Sequence, residues 1–192
     1  MRALFSALTA LTLLALSALA AAAAPTSYRL DPDQSKVEFT YSLSGKDGTG
    51  TMPITRADLD LDFDAVANST AKVTLDASGA RTNYFFVTDA LKGDSVLDTA
   101  QYPAISFVSR KVSPAPGGAT IQGDVTIRGV TRPMVLSAQI YRRDGSAAGD
   151  RSRLSVRLTG QIDRTDFGAD GYADMVGPVV KLDILARLES RN

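Results

Sequence analysis

Apolar and polar residues alternate along most of the chain after residue 24, and this pattern constrains the fold more than any other feature of the sequence. Val37, Phe39 and Tyr41, for example, are each followed by a polar residue. Alternation with a period of two is typical of a β-strand that has one buried face and one face in water. The pattern recurs in the segments 37–43, 59–63, 71–75, 105–107, 121–127, 134–140, 154–162 and 180–188. The sequence therefore predicts about eight strands.

Short turn signals rich in Gly and Pro separate the predicted strands. They include the segments 114–118 and 128–131 and the pair Asp144-Gly145, and the Gly-rich segment 45–50 is interpreted as a hairpin loop. Consecutive strands joined by short turns pair antiparallel, and strands with one apolar face close into a barrel or stack as a sandwich. We favour an all-β fold in which eight antiparallel strands form a barrel. Periodicity does not distinguish a filled barrel from a hollow one that can hold an elongated ligand.

One segment, residues 82–102, lacks the alternation. Thr88 and Asp94 are predicted to cap two short helical turns, and Gly93 is predicted to end the first of them. A segment of about 20 residues without strands in a compact β domain is typically a binding loop or a lid. We expect this segment to bury its apolar residues over the mouth of the barrel.

Residues 1–23 have the composition of a secretory signal peptide. Arg2 precedes a Leu-rich apolar run that ends in a block of Ala. We predict cleavage near Ala22 or Ala23, release into the periplasm, and a single domain over residues 24–192. A transmembrane anchor is the alternative, because the apolar run approaches the roughly 20 residues that span a bilayer. Weakly apolar Ala residues and the lack of a basic flank after the run favour the signal peptide.

The residue types that the chain lacks exclude most catalytic and metal-binding chemistry. The sequence contains no Cys and no His, which removes thiol nucleophiles, imidazole bases and the usual ligands of transition metals. Its 21 basic and 21 acidic residues balance, so bulk charge gives no indication of nucleic-acid binding. Asp58, Asp60, Asp62 and Asp64 lack the Gly and Glu of a calcium loop, and we interpret them as one solvated strand face. We predict that the protein is not an enzyme and holds no metal.

Several motifs resemble those of one known family. They are LDPDQSKVEF at 30–39, SGART at 78–82, YPAISFVS at 102–109, GDVTIRGVTRP at 123–133 and RTDFG at 164–168. The last two are the most specific, because they are distinctive and correctly spaced. Over residues 28–189 the sequence is similar to the YceI-like family of exported polyisoprenoid-binding proteins.

The resemblance implies a lipocalin-like barrel with a short helical lid and an apolar tunnel. The tunnel is expected to hold a polyisoprenoid such as a quinone tail, or another long-chain lipid. No reaction is implied, and no cofactor apart from the bound isoprenoid or fatty lipid. The resemblance also implies a homodimer and a membrane redox partner of the cytochrome b561 type. Family members commonly have Trp and His where this chain has Tyr28 and Gln34, so contacts made by those side chains do not transfer.

Candidate site residues come from the inward-facing positions, the lid and the motifs. The predicted tunnel and lid residues are Phe39, Tyr41, Phe63, Phe86, Leu91, Leu97, Ile105, Phe107 and Phe167, and the predicted head-group contacts are Arg81, Thr82 and Arg164. The motif arginines have an alternative role in rim salt bridges and contacts with backbone carbonyls, and the carboxylates beside Arg164 favour a structural ion pair there. Ala138 and Ala186 are predicted to be small inward residues at which a larger side chain would narrow the tunnel.

Two functions remain open on this evidence. The first is a non-catalytic exported protein that sequesters, stores or transports a long-chain lipid inside the barrel. The alternative is a periplasmic interaction or stress-response protein that engages a membrane redox protein and whose barrel is packed or vestigial.

Overall fold

A computed structural model of the chain describes residues 24–142, 145–147 and 149–191. The predicted signal peptide lies outside these residues, as does Asp144 of one predicted turn. The described strands are β1 (Thr26–Leu30), β2 (Lys36–Leu43), β3 (Lys46–Met52), β4 (Ile54–Leu61), β5 (Thr70–Asp76), β6 (Arg81–Thr82), β7 (Ala104–Ala115), β8 (Gly118–Ile127), β9 (Val130–Arg142), β10 (Arg153–Asp163) and β11 (Val179–Ser190). One α-helix, α1 (Phe85–Lys92), and two single 3-10 turns, Val66–Asn68 and Arg164–Phe167, accompany them.

Eight of these strands form a closed antiparallel barrel. The order around the ring is β1-β4-β5-β7-β8-β9-β10-β11, and β11 pairs again with β1. One edge of the long strand β11 pairs with two strands. Residues 181–185 pair with β2, and residues 188–190 pair with β1. The strands β3 and β6 extend the sheet beyond β2. The predicted all-β fold, an eight-stranded antiparallel barrel with a short helix, is confirmed.

The Gly-rich segment 45–50 is mostly strand, so its interpretation as a hairpin loop was wrong. The turn occupies only Ser44 and Gly45, and β3 begins at Lys46. Aromatic side chains of β2 lie over the glycines of the neighbouring strand β3. A Cβ atom added at Gly50 would lie 2.2 Å from Cζ of Phe39. Gly48 has the same relation to the Tyr41 ring. These glycines therefore make room for aromatic side chains and do not form a loop.

The acidic run also differs from the predicted solvated face. The strand β4 ends at Leu61, and Asp62 is buried in the turn that follows it. Its carboxylate accepts hydrogen bonds from the backbone N–H groups of Asp64 (2.9 Å) and Ala65 (2.7 Å) and from Nδ2 of Asn68 (3.1 Å). These bonds favour the ionised form and lower the pKa of Asp62, the bond from Ala65 most strongly. Asp62 thus organises the connection between β4 and β5.

The lid segment contains one α-helix in place of two capped helical turns. The helix α1 begins after Tyr84, and Thr88 lies inside it. Thr88 does not cap the helix as predicted. Its hydroxyl accepts a hydrogen bond from the N–H of Thr82 at 2.9 Å and so ties α1 to β6. The helix ends at Gly93, as predicted. Asp94 caps no helix, because residues 94–101 form a series of turns.

Buried side chains pack into two clusters inside the barrel. The larger one lies toward the lid and includes Leu97, Met134 and Phe167. A floor cluster of buried side chains fills the end near β1, and it consists of Tyr28, Ala138, Leu154, Val156, Ala186 and Leu188. The Tyr28 hydroxyl donates to the carbonyl oxygen of Arg151 at 2.7 Å, and burial raises the pKa of this phenol. Ala138 is enclosed by this cluster, so its predicted place on a tunnel wall was wrong, whereas Ala186 borders both the cluster and open space.

Candidate ligand cavity

An apolar cavity with a volume of about 270 Å³ occupies the barrel above the floor cluster. Its lining runs from Leu30 and Ala186, near the floor, to Val87, Ala90 and Leu91 on α1. A cavity of roughly 150 Å³ with Leu, Ile and Phe walls already stays dry and binds benzene. The space inside this barrel is therefore large enough to enclose part of a hydrocarbon ligand.

Inward side chains on β5 and β7 show why the space is open. Val73, Leu75, Ile105 and Phe107 line the cavity and are only half-buried. Inward residues of a filled core would be fully buried, as Leu154 is on β10 in the floor cluster. The accessible surface that these four side chains retain faces the cavity. The sequence pattern alone does not distinguish this arrangement from a filled barrel.

Most of the predicted tunnel residues border this cavity. Phe39 and Tyr41 reach it from β2, and Leu91 and Leu97 reach it from the lid segment. The remaining three are Ile105, Phe107 and Phe167. Strands, lid and the 3-10 turn after β10 thus converge on one space, although contact of these residues with a ligand stays a prediction.

Two predicted tunnel residues lie elsewhere. Phe63 follows the end of β4 and packs edge-on against Tyr28, with ring centroids 6.2 Å apart, at the closed end of the barrel. There it borders a separate cavity of about 280 Å³, under the guanidinium of Arg151 at 4.9 Å. Phe86 is 66% exposed, because it lies on the outer side of α1. Alternation places Phe63 inward but does not indicate at which end of the barrel it lies.

Arg164 is the one charged residue on the cavity wall within the described part of the chain. It is 6% exposed, and its guanidinium bonds to backbone carbonyls instead of a carboxylate. Nε donates to Gly177 at 3.1 Å, Nη2 to Val176 at 2.8 Å, and Nη1 to Gly171 at 2.8 Å and to Ala169. Four of its five N–H groups thus hold the loop after β10, which leaves one for a ligand. The predicted ion pair is replaced by these carbonyl contacts.

The other two predicted head-group residues differ from each other. Thr82 borders the cavity, and its hydroxyl donates to the carbonyl oxygen of Tyr84 at 2.8 Å. Arg81 is exposed and does not border the cavity. Successive residues of a strand point to opposite faces, so Thr82 and Arg81 on β6 do not share a face.

Arg128 fastens the lid segment to the barrel. It stands at a two-residue hairpin turn between β8 and β9, with φ of +51° at Arg128 and +73° at Gly129. Positive φ at both positions is typical of the turn that matches the strand twist. From there its guanidinium donates to the carbonyl oxygens of Val96, at 2.9 Å, and Asp94, at 2.5 Å. The structure gives this motif residue a structural role.

The loop after the 3-10 turn forms part of the wall that the sequence does not indicate. Tyr172 and Val176 border the cavity, and Tyr172 is 48% exposed. Tyr172 is the one exposed residue among the described lining residues, so the cavity wall comes nearest to the surface at this loop. Tyr172 has a φ of +59°. The polar, Gly-containing sequence of this loop carries no periodic signal, so only the structure places it on the wall.

The cavity holds little that could perform chemistry. Within the described residues no carboxyl group borders it, and no three potential metal ligands lie close enough together to hold an ion. The carboxyl groups with lowered pKa values are Asp62, Asp150, Asp163 and Asp183, and all lie outside it. The described helix is too short to cross a bilayer. The described lining of the cavity is thus almost entirely apolar.

A closed antiparallel barrel with an apolar cavity and one short helix on the cavity wall defines a lipocalin-like barrel fold. The comparison with known families agrees. The YceI-like domain matches residues 28–188, and the chain belongs to this family. The resemblance drawn from the motifs is thus confirmed.

Curated relatives match over part of their length. Protein YceI of Escherichia coli O17:K52:H18 is 30% identical over 95 residues, which cover 50% of this chain and 49% of that protein. A UPF0312 protein of Pseudomonas syringae pv. tomato is 30% identical over 112 residues, which cover 57% of this chain and 58% of that protein. The chain therefore spans about half the length of the curated relatives it matches.

Solved structures share the fold at low sequence identity. Burkholderia cenocepacia BcnA has a TM-score of 0.73 at 19% identity, covering 83% of this chain and 99% of that chain. A polyisoprenoid binding domain from Saccharophagus degradans has a TM-score of 0.61 at 15% identity, covering 86% and 99%. At these identities the likeness establishes the fold alone.

Proposed function

We propose that this protein binds a long-chain lipid with a polyisoprenoid or fatty tail inside the barrel, and that it sequesters, stores or transports that lipid without catalysing a reaction. The observation that carries the proposal is the apolar cavity. Apart from Arg164 and Thr82, the side chains that line it are hydrocarbon, aromatic or thioether groups. Such a lining complements a hydrocarbon tail and provides few partners for a polar substrate.

Burial of a tail supplies the driving force. Each methylene moved from water into the cavity contributes about 0.8 kcal/mol, so ten buried carbons contribute roughly 8 kcal/mol before the entropy lost on binding is subtracted. A tail of several isoprene units exceeds that length. Affinity then comes from tail length, and head-group contacts add selectivity.

The comparisons and the cavity support the carrier over the interaction protein with a packed barrel. The Saccharophagus degradans domain is described as polyisoprenoid binding, and it shares this fold. A barrel that had lost its ligand would have no reason to keep Val73, Leu75 and Phe107 around an open space, since filling it would stabilise the fold. A homodimer and a membrane redox partner of the cytochrome b561 type are further proposals that rest on family membership alone.

Release into the periplasm is part of the proposal and rests on the composition of residues 1–23. Intact-mass measurement of the protein from the periplasmic fraction is expected to give a chain that begins near Ala23. Recovery of the protein from a membrane fraction with Met1 retained would contradict it.

The direct test is extraction of the purified protein with organic solvent, followed by mass spectrometry of the extract. We expect a long-tailed lipid in near-stoichiometric amount. Val73→Gln places an amide on the cavity wall, and Lys72→Gln places the same side chain on the outer face of the same strand. Covering an unpaired amide with a tail costs about 1–3 kcal/mol, so V73Q is expected to retain about tenfold less lipid than K72Q.

Circular dichroism of both variants separates loss of binding from loss of fold. Lipid-free wild-type protein that also fails to take up added polyprenol or palmitate would contradict the proposal. Equal lipid content in folded V73Q and K72Q would show that the lipid is bound outside the cavity.

A further inference from the structure

Three consecutive aromatic residues are exposed where the lid begins. Tyr84 is 48% exposed, Phe85 81% and Phe86 66%, and the rings of Tyr84 and Phe86 contact each other with centroids 5.7 Å apart. Single exposed apolar residues are common on protein surfaces, whereas a run of three aromatic rings is not. Phe85 is mostly in water, so packing among the described residues does not account for it.

These aromatic residues lie at the lid end of the cavity, beside the part of α1 that forms its wall. One turn further along α1, Ala90 and Leu91 line the cavity. The outer surface of the lid and the wall of the cavity are thus formed by the same eight-residue helix. A ligand that enters beside α1 passes directly from the aromatic surface to the cavity.

A second exposed apolar group flanks the same end. Met175 is 49% exposed, and its carbonyl oxygen accepts from the N–H of Ser44 at 2.7 Å, at the turn between β2 and β3. The other side of that hairpin pairs with β6, which leads into Tyr84. Tyr172 and Met175 therefore border the hairpin on one side, and the aromatic run borders it on the other.

Acidic residues outnumber basic ones at this end. Lys46 and Arg81 are exposed beside the hairpin and β6, whereas four exposed acidic residues surround the surface, namely Asp47, Asp89, Asp170 and Asp174. Attraction to anionic headgroups is therefore weak here, and contact depends on the apolar side chains.

We propose that this mouth surface, formed by residues 84–86 with Tyr172 and Met175, docks on a lipid bilayer. The inference rests on the proposed function, because a membrane is the source or the destination of a long-chain lipid. For each methylene of the lipid tail that has to cross water between the membrane and the cavity, transfer becomes about fourfold less probable. A mouth that touches the bilayer keeps the tail out of water throughout. Aromatic side chains favour the boundary between headgroups and acyl chains, and Phe85 and Phe86 supply them at the entrance.

The absence of Trp from the chain allows a local probe of docking. In Phe85→Trp the only Trp fluorophore stands at the mouth, and in the control Val135→Trp it stands on the outer face of β9, where Val135 is 55% exposed. Each protein is mixed with vesicles of phosphatidylethanolamine and phosphatidylglycerol at 3:1. We expect a blue shift and quenching by brominated acyl chains for F85W alone, with less than a threefold change in apparent affinity at 0.5 M salt.

A transfer assay tests the consequence of docking. Phe85→Ser is expected to slow uptake of a fluorescent polyprenol from these vesicles at least tenfold, and Val135→Ser less than twofold. Equilibrium binding of the same polyprenol, delivered from detergent, is expected to be unchanged in F85S. Loss of equilibrium binding in wild-type protein would instead mean that the proposed function fails.

Three outcomes would overturn the docking proposal. The first is an F85W spectrum that vesicles leave unchanged. The second is equal quenching of F85W and V135W, which would indicate unspecific adsorption. The third is a concentration-dependent shift of F85W emission without vesicles, together with a dimer in sedimentation that F85S abolishes. That result would assign the surface to a second copy of the chain.

Discussion

Ala71 and Ala138 have equivalent positions in the alternating pattern but different environments, and this contrast gives a sharp test of the cavity. Ala71 on β5 borders the cavity and is half-buried, whereas Ala138 on β9 is 5% exposed inside the floor cluster. Substitution of each by Phe adds the same atoms. We expect Ala71→Phe to act on ligand binding and Ala138→Phe to act on folding.

The magnitudes follow from the space around each site. A Phe at Ala138 has no free volume, and overpacking of this kind costs about 1–3 kcal/mol, which lowers the Tm by roughly 2–12 °C for a domain of this size. A Phe at Ala71 extends into the cavity and removes its ring from water, so the Tm of the lipid-free protein should stay the same or rise. If the ring displaces three or four tail carbons, binding weakens by about 2.4–3.2 kcal/mol, or roughly 50- to 200-fold.

The assay compares the melting temperature of the lipid-free protein with equilibrium binding of a fluorescent polyprenol for both variants. The expected result is a crossed pattern, in which A71F melts normally and binds weakly while A138F melts early and binds normally when folded. If A71F melts as early as A138F and retains its full lipid load, the interior is packed at Ala71 and the ligand does not lie in this cavity.

Three further predictions concern residues that stabilise the fold. Gly50→Ala would place Cβ 2.7 Å from the backbone oxygen of Arg81, and it should lower the unfolding free energy by about 1–3 kcal/mol in denaturant titrations, against less than about 0.5 kcal/mol for the exposed Thr49→Ala. Arg164→Met leaves four backbone carbonyl oxygens without their hydrogen-bond donor and should lower the unfolding free energy by about 3 kcal/mol or more. A decrease of less than about 1 kcal/mol would refute the structural role of Arg164. Hydrogen bonds hold the folded pKa of Asp62 below its ordinary 3.8, so this carboxylate stabilises the fold above that pH and the contribution is lost as the pH falls through the folded pKa. The stability difference between wild type and Asp62→Asn should therefore be largest at neutral pH and shrink in acid, and a difference that is constant with pH would contradict this origin.

The alternation was sufficient to predict the barrel, because it follows directly from the geometry of a half-buried strand. The alternation did not predict β3, because most residues of this strand have small or polar side chains. The glycines of β3 fit into the sheet because the rings of Phe39 and Tyr41 lie over them, and this relation exists between strands, not along the sequence. The short strand β1 was missed for a similar reason, since five residues hold too few repeats to show a period.

The site was less predictable than the fold, because a period of two reports which face a side chain occupies but not its depth along the barrel axis. Phe63 and Phe107 are both inward by this criterion, yet one lies at the closed end and the other lines the cavity. The sequence did not predict the hydrogen-bond partners of Arg164 either. They are backbone carbonyls of a loop whose residues share no distinctive side chain.

The pairing of β11 with β1 has a consequence for the order in which the barrel closes. The contacts between residues 28–30 and 188–190 join parts of the chain about 160 residues apart, and closing so long a loop is entropically costly and slow. The hairpins β7–β8 and β8–β9 need no such closure and can form first. Under the proposed function, we expect a lipid tail present during this interval to be enclosed by the pairing of β11 with β1, without passing the lid.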